Sequence, residues 1–367
     1  MSGSPGSSPS NGSPPPIAAG PTPTASGTPE VTPSPTPTPR PTPVPTPAPV
    51  PAPLTGRPVK EAVAAQRTIA VMIDDHPDAR PQSGFNAAAV VWHAPAEGGV
   101  PRYMLLFQDT LPESVGPVRS ARQYFVEWAA EWGAMYVHSG GSPQALATLR
   151  AKGQGQWVYN ADEFRWGGTY LWRIRQRFAP HNVYTDGENL RKMAARLGAD
   201  DVAMTPAWSF RADTPFQWRP LGGGISTGYT WNRIRYAYDQ ASNTYVRSVT
   251  GASPQIDAAD GKRVAPKNVV IMLVRFGRLN DGHPEKARQE AANVGKGTAW
   301  IATNGRTVKG TWSKASITEP TLFFGPDGKP ATLTIGQTFV QVMPAGTNVT
   351  IVPGVGPERP RGGPTAE

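Results

Sequence analysis

Apolar and polar positions along the chain divide it into three textures. Between residues 67 and 138, short apolar runs suit buried strands: RTIAVMID (67–74), VPRYMLLFQD (100–109) and AMYVH (134–138), while NAAAVVWHAPAEGG (86–99) is apolar and then turns at Pro95 and Gly98-Gly99. Between the last two strands, Tyr124, Phe125, Trp128, Ala129 and Trp132 recur at three- and four-residue spacing, which predicts an amphipathic helix with Gly133 as its stop. Ser120 and Gln123 have the spacing of a capping box at its start. A second helix is predicted after HSGG, with Ser142 as N-cap and Pro143 in the first turn. A third is predicted over 186–198. Strands alternating with helices imply an α/β layer with a mixed, partly parallel sheet.

From about residue 229 the period changes to two. YTWNRIRYAYDQASNTYVRSV alternates around a polar turn and predicts a hairpin. KNVVIMLVRF, GTAWIATNGRTVKGTW and TLFFGPDGKPATLTIGQTFVQVMP predict further strands joined by Asn-Gly and Asp-Gly turns. The expected organisation is therefore an α/β domain over 57–204, a mainly β domain over 205–354 and a frayed tail over 355–367. Residues 154–180, rich in aromatics and arginine, read as irregular structure crossing one face.

The third texture is the N-terminus. Nineteen of the 42 prolines lie in the first 56 residues, beside only two charges, Glu30 and Arg40. Alternating Pro and Thr/Ala favours extended polyproline II, so 1–56 reads as a disordered stalk. At about 3.1 Å per residue, its 21–53 portion reaches close to 100 Å. Because the two charges cancel, the whole +9 formal charge belongs to the remainder, which favours anionic partners. With no cysteine, disulfides and thiolate metal sites are excluded.

The segments RTIAVMIDDHPDARPQSG, EGGVPRYMLLFQD, GPVRSARQYF, YVHSGGSPQAL and RFAPHNVYTDGENL follow one another in the order found in the YerB-type lipoprotein family of bacteria. KNVVIM, GTW and TLTIGQTFVQVMP resemble its C-terminal domain. The resemblance covers most of residues 67–344. It implies an extracytoplasmic, envelope-attached protein with a domain of unknown function. Family members carry a lipid-modified cysteine, so the anchor here is missing, upstream or replaced. A looser resemblance to the LytR–CpsA–Psr envelope phosphotransferases covers part of the first domain.

Candidate chemistry centres on GPVRSARQYF. Arg119 and Arg122 flank a helix start, where a cation is disfavoured unless an anion accompanies it. Ser139, Gly140 and Gly141 precede the second helix start, where backbone amides suit an anion. The RIRQR arginines, Arg177 among them, are expected to close over that rim, and His181, in a turn after Pro180, is a further ligand-binding candidate, whereas Arg102, opening a strand, is expected at the opposite end. One reading is an Arg/Gly-lined pocket for phosphate or carboxylate. The competing reading pairs these arginines with the chain's own Asp74, Asp75 and Glu97. Asp74, Asp75 and His138 are the catalytic candidates, His138 as a general base. His76 and His138 each follow a strand, with Asp74-Asp75 beside the first, so a His/Asp site for a divalent metal is conceivable, but no ligand spacing such as H-E-x-x-H appears and no metal or cofactor is assigned. GISTG (224–228) fits G-x-S-x-G but lacks the strand–turn–helix setting of a hydrolase elbow. The aromatic-arginine stretch suits packing first, glycan contact second and nucleic acid third.

Two functions follow. The first is an envelope protein that binds a cell-wall polymer or anionic glycan. The second is an envelope enzyme acting on a phosphorylated or glycan intermediate, with a divalent metal.

Overall fold

The computed structural model describes residues 47–202, 204–230 and 232–356, all within one compact unit. Most of the proline-rich stalk (1–46) and most of the tail (357–367) lie outside the described residues. The end assigned to the stalk is part of the fold. Val50–Pro51 pairs antiparallel with Pro58–Val59, and Ala52, Leu54 and Thr55 are buried.

A ten-stranded mixed sheet forms the centre. Its spatial order is Leu322–Phe324, Arg306–Lys314, Gly295–Thr303, Asn268–Val274, Thr338–Pro344, Val90–Ala94, Arg102–Phe107, Ile69–Asp74, Met135–His138 and Tyr159–Asp162. The three strands predicted before residue 140 all form, as does KNVVIMLVRF, and the apolar part of 86–99 adds the strand Val90–Ala94. The segment read as irregular supplies the edge strand Tyr159–Asp162, too short and polar to show a period. The α-helices of the described residues all lie between 61 and 196, and the later segment is built of strands and short 3-10 turns. The two segments thus keep their expected textures, yet one sheet runs through both. The seam is a parallel pairing in which Val90 faces Thr338 and His93 faces Gln341. Its apolar strands bury side chains on both faces, so neither segment closes a core alone.

Strand alternation sends Ala70, Met72 and Trp92 to one face and Ile69, Val71, Ile73 and Val91 to the other. The first face is covered by helices Gln123–Ala130 and Pro143–Leu149, with Trp92 stacked on Trp128 at 4.8 Å between ring centroids. Burying an aromatic side chain of this size contributes about 2–3 kcal/mol. Ser142 caps the second helix through its hydroxyl, as expected. The first helix begins at Gln123 with Arg122 as an N-cap that makes no side-chain cap bond, so the capping box does not form. Gln123 instead bonds Glu127 one turn on.

The second face is covered by helix Gly187–Arg196, capped by Asp186, and by a four-stranded antiparallel sheet. That sheet has the order Thr244–Val249, Arg233–Asp239, Gly224–Gly228, Thr350–Val352. GISTG is one of its strands, in keeping with the rejection of a hydrolase elbow. The Asn304-Gly305 turn joins two long strands with φ values of 50° and 72°, the left-handed pair that a tight hairpin requires.

Candidate functional site

The strand Ile69–Asp74 ends in two consecutive carboxylates whose surroundings diverge. Asp75 is buried beneath the four-stranded sheet. One carboxylate oxygen receives Arg80 (2.9 Å); the other receives Asn232 (2.7 Å) and His93 Nε2 (3.0 Å). On the far side of the ring, His93 Nδ1 lies 3.1 Å from Arg247 Nη2. Arg247 has no solvent exposure, and its Nε and Nη1 donate to the hydroxyls of Tyr236 (3.0 Å) and Tyr103 (3.1 Å). A guanidinium only donates, so the Arg247 contact suits an Nδ1 without a proton and Nε2–H donating to Asp75; Gln341 Oε1 lies at the same 3.1 Å from Nδ1. Burial pushes the imidazole pKa down to about 4 against the pull of Asp75, so the ring is neutral at neutral pH. Burial opposes ionisation of Asp75, but its hydrogen bond to His93 and the nearby cations outweigh that and hold its pKa below the usual value. This network joins residues from both sequence segments and is sealed from solvent, which makes it structural rather than catalytic.

Asp74 faces the rim. Its Oδ2 lies 3.0 Å from Arg119 Nε and 2.8 Å from His181 Nδ1, and its Oδ1 accepts the His76 amide at 3.0 Å. His76 stacks on His181 with ring centroids 4.7 Å apart, and Asp78 Oδ2 lies 3.5 Å from His76 Nδ1. One face of this cluster is open, since Asp78 is largely exposed.

The anion expected beside Arg119 and Arg122 comes from within the chain. Asp74 pairs with Arg119. Glu97 pairs with Arg122 and, at 3.0 Å, with Arg102; Arg288 lies 3.6 Å from its other oxygen. Arg122 is almost wholly buried. Burial and the neighbouring Arg102 lower its pKa to about 10, so it remains cationic at neutral pH. Burial raises the Glu97 carboxyl, but Arg122 and Arg102 overcome that and hold it below its ordinary range. Arg102 had been assigned to the opposite end of the sheet. Its strand runs antiparallel to Ile69–Asp74, with Arg102 opposite Asp74, so a strand's start shares the rim with its neighbour's end.

The remaining candidates are engaged by the chain as well. The Gly140 amide points to Asp162 at 3.3 Å, Gly140 has φ of 64°, and a Cβ on Gly141 would lie 3.1 Å from that of Ala121. These glycines let two chain segments approach rather than cradle a ligand. Ser139 donates to Glu163 at 3.1 Å. Arg177 donates to the carbonyls of Ala79 and Pro81 and to the Tyr184 hydroxyl, so it braces a loop and does not close over the rim. His138 is fully buried with Nδ1 2.8 Å from the Gly140 carbonyl and Nε2 2.9 Å from Asn160. With both nitrogens occupied it is not available as a general base. The aromatic-arginine stretch divides: Trp166 packs inward beneath Arg165, whereas Phe164 and Phe178 are exposed.

A separate opening lies on the outer face of the four-stranded sheet. It is a groove of about 840 Å³ whose walls include Ser226, Tyr229, Arg233, Arg235, Asn348 and Thr350. Cross-strand pairing puts Arg235 beside Ser226 and Ser226 beside Thr350, forming a polar row across three strands. Arg233 and Arg235 are exposed and make no ion pair with the described residues. The alternation in NRIRYAYD carries this signal: Ile234, Tyr236 and Tyr238 point inward, so Arg233 and Arg235 point outward. Tyr229 links groove and interior, its hydroxyl within 2.9 Å of the His93 carbonyl.

The sequence profiles of the "Protein of unknown function (DUF3048)" N-terminal and C-terminal domains match residues 54–200 and 225–340, respectively. The protein described as "Putative lipoprotein YerB" of Bacillus subtilis (strain 168) is 30% identical over 297 residues, 79% of this chain and 85% of that protein. The crystal structure of YerB from Bacillus subtilis superposes with a TM-score of 0.71 at 28% identity, covering 82% of this chain and 99% of that one.

Proposed function

The chain belongs to the DUF3048 family, and from that premise we propose that it is a cell-envelope protein that binds an anionic or glycan wall polymer along the outer face of its four-stranded sheet. The description of its Bacillus relative as a lipoprotein supports the envelope setting. Among the described residues, no helix is long and apolar enough to cross a membrane. One observation carries the binding reading: two exposed guanidinium groups, without ion pairs among the described residues, line an open groove together with hydroxyl and amide groups. Polyanions bind such surfaces through long-range attraction and charge-assisted hydrogen bonds, and the Ser and Thr hydroxyls of the row add neutral hydrogen-bonding groups.

Co-sedimentation with purified wall sacculi tests this reading. The parent protein is expected to sediment with sacculi that retain their anionic polymer, less so as salt is raised. Arg233→Glu combined with Arg235→Glu is expected to weaken binding at least tenfold. Undiminished binding of that variant overturns the assignment. The second reading, an envelope enzyme acting on a phosphorylated or glycan intermediate, is favoured by the Asp74–His181 pair, which leaves His181 Nε2 available at an open rim.

A further inference from the structure

The His76–Asp78–His181 cluster lies outside both the groove and the sealed network. We propose that these three side chains bind one divalent cation of the zinc class, with Asp74 orienting His181 for it.

The ligand atoms of the three residues all lie within 4.8 Å of one another. Tetrahedral zinc with bonds of about 2.0–2.1 Å holds its ligand atoms about 3.3–3.4 Å apart. The 3.5 Å separation of His76 Nδ1 and Asp78 Oδ2 is already close to that value, and Nδ1 gives up the Asp78 amide it accepts at 3.3 Å when it turns to the cation. Closing the third position requires a movement of about 1 Å or a little more, within the range of side-chain rotation for an open cluster. The local chain favours the first pair. Pro77 sits between the two ligands, and the short 3-10 turn it opens brings the Asp78 amide and carboxylate to the Nδ1 edge of the His76 ring.

His181 arrives from a loop 105 positions away in sequence and is held by its other nitrogen. Its Nδ1 contacts Asp74, which leaves Nε2 as the metal-facing atom. A carboxylate on the distal nitrogen fixes ring orientation and raises ligand basicity, the arrangement common around metal-bound histidines. Asp74 is itself anchored by Arg119 and by the His76 amide. With Arg119 set against Asp74, Asp78 supplies one net negative charge toward a dication, and an anionic group in the open position would supply the second. Three protein ligands leave one position for water or an anionic group. Two imidazoles and one carboxylate favour zinc over magnesium or calcium, which take mostly oxygen ligands.

Zinc chloride alone is the probe. The full chain, dialysed against a small excess of zinc and then against metal-free buffer, is expected to retain about one zinc per chain. Titration is expected to give an affinity lowered at least tenfold in Asp78→Asn, whose exposed side chain can change without disturbing the fold. His76→Ala combined with His181→Ala is expected to abolish retention, and Asp74→Asn to weaken it about 10- to 100-fold. His283→Ala, which removes the exposed histidine beside Glu285, serves as the control and is expected to leave retention unchanged. Arg233→Glu with Arg235→Glu is also expected to retain zinc, which separates this site from polymer binding. Failure of the parent to retain zinc, or full retention by Asp78→Asn and by the double histidine variant, overturns the proposal.

Discussion

The rim around Arg119 and Arg122 and the outer sheet face around Arg233 and Arg235 both concentrate guanidinium groups, but they differ in what answers the charge. At the rim, Asp74 meets Arg119, and Glu97 meets Arg122 and Arg102, all in partly or fully buried settings. On the outer face, the arginines are exposed beside a groove and make no ion pair with the described residues. Crowded cations therefore do not by themselves mark a ligand site. A buried guanidinium needs a partner to exist at all, and the fold supplies one; an exposed guanidinium is hydrated and remains available. The sealed Asp75–His93–Arg247 network is the extreme form of the first case.

The largest effect that separates the two regions is removal of the rim's shared carboxylate. Glu97→Ala leaves Arg102 and Arg122 buried without it, and a loss of about 3–5 kcal/mol is expected in urea unfolding. A loss below about 1 kcal/mol would show that water answers these charges and would erase the contrast with the outer face.

Acid tests the sealed network. The folded His93 has a pKa of about 4, below its ordinary 6.5, so the unfolded chain takes up a proton that the fold refuses. The corresponding stability is complete above pH 6.5 and is lost as pH falls from there to about 4, an effect of about 3 kcal/mol. Glu97 and Asp75, both held below their ordinary ranges, add further losses at still lower pH. Unfolding midpoints measured across this range should therefore slope downward toward acid. His93→Gln should flatten the slope between pH 6.5 and 4; an unchanged slope would mean that another group is responsible.

Arg119→Ala sits between the extremes. Its side chain is partly exposed, and Asp74 keeps His181 as a partner, so a loss of about 1 kcal/mol is expected in the same assay. Smallest of all, Arg233→Glu with Arg235→Glu should change stability by no more than about 0.5 kcal/mol, because both side chains project into solvent. A larger loss would show that these arginines hold the sheet together and are not free for a ligand.

Much of the fold was legible because its strands are apolar on one or both faces and its turns use residues with specific backbone preferences. Ser142 and Pro143 mark a helix start, and Asn304-Gly305 a hairpin, through local physics alone. The strand partners were not legible. Arg102 was assigned to the wrong end because a parallel neighbour was assumed, and the antiparallel pairing with Ile69–Asp74 reverses that inference. The seam between Val90–Ala94 and Thr338–Pro344 joins residues about 250 positions apart, and both strands are too uniformly apolar to specify a partner. Glu97 was correctly among the acids that could pair with the rim arginines. His93 and Arg247 gave no signal of their network, since each lies in an ordinary strand pattern. The outward placement of Arg233 and Arg235 was present in the alternation of NRIRYAYD, but the hairpin was read for its fold and not for its outer face. The approach of His76 to His181 depends on a loop returning across the rim, which residue spacing does not encode.

The division between answered and available arginines is tested most directly by measuring binding to anionic wall polymer for two variants side by side, Arg119→Ala and Arg233→Glu/Arg235→Glu, each confirmed folded. Binding that persists in the first and falls at least tenfold in the second is the predicted result. Loss of binding in the Arg119 variant with retention in the groove variant would return the ligand to the rim and contradict the account.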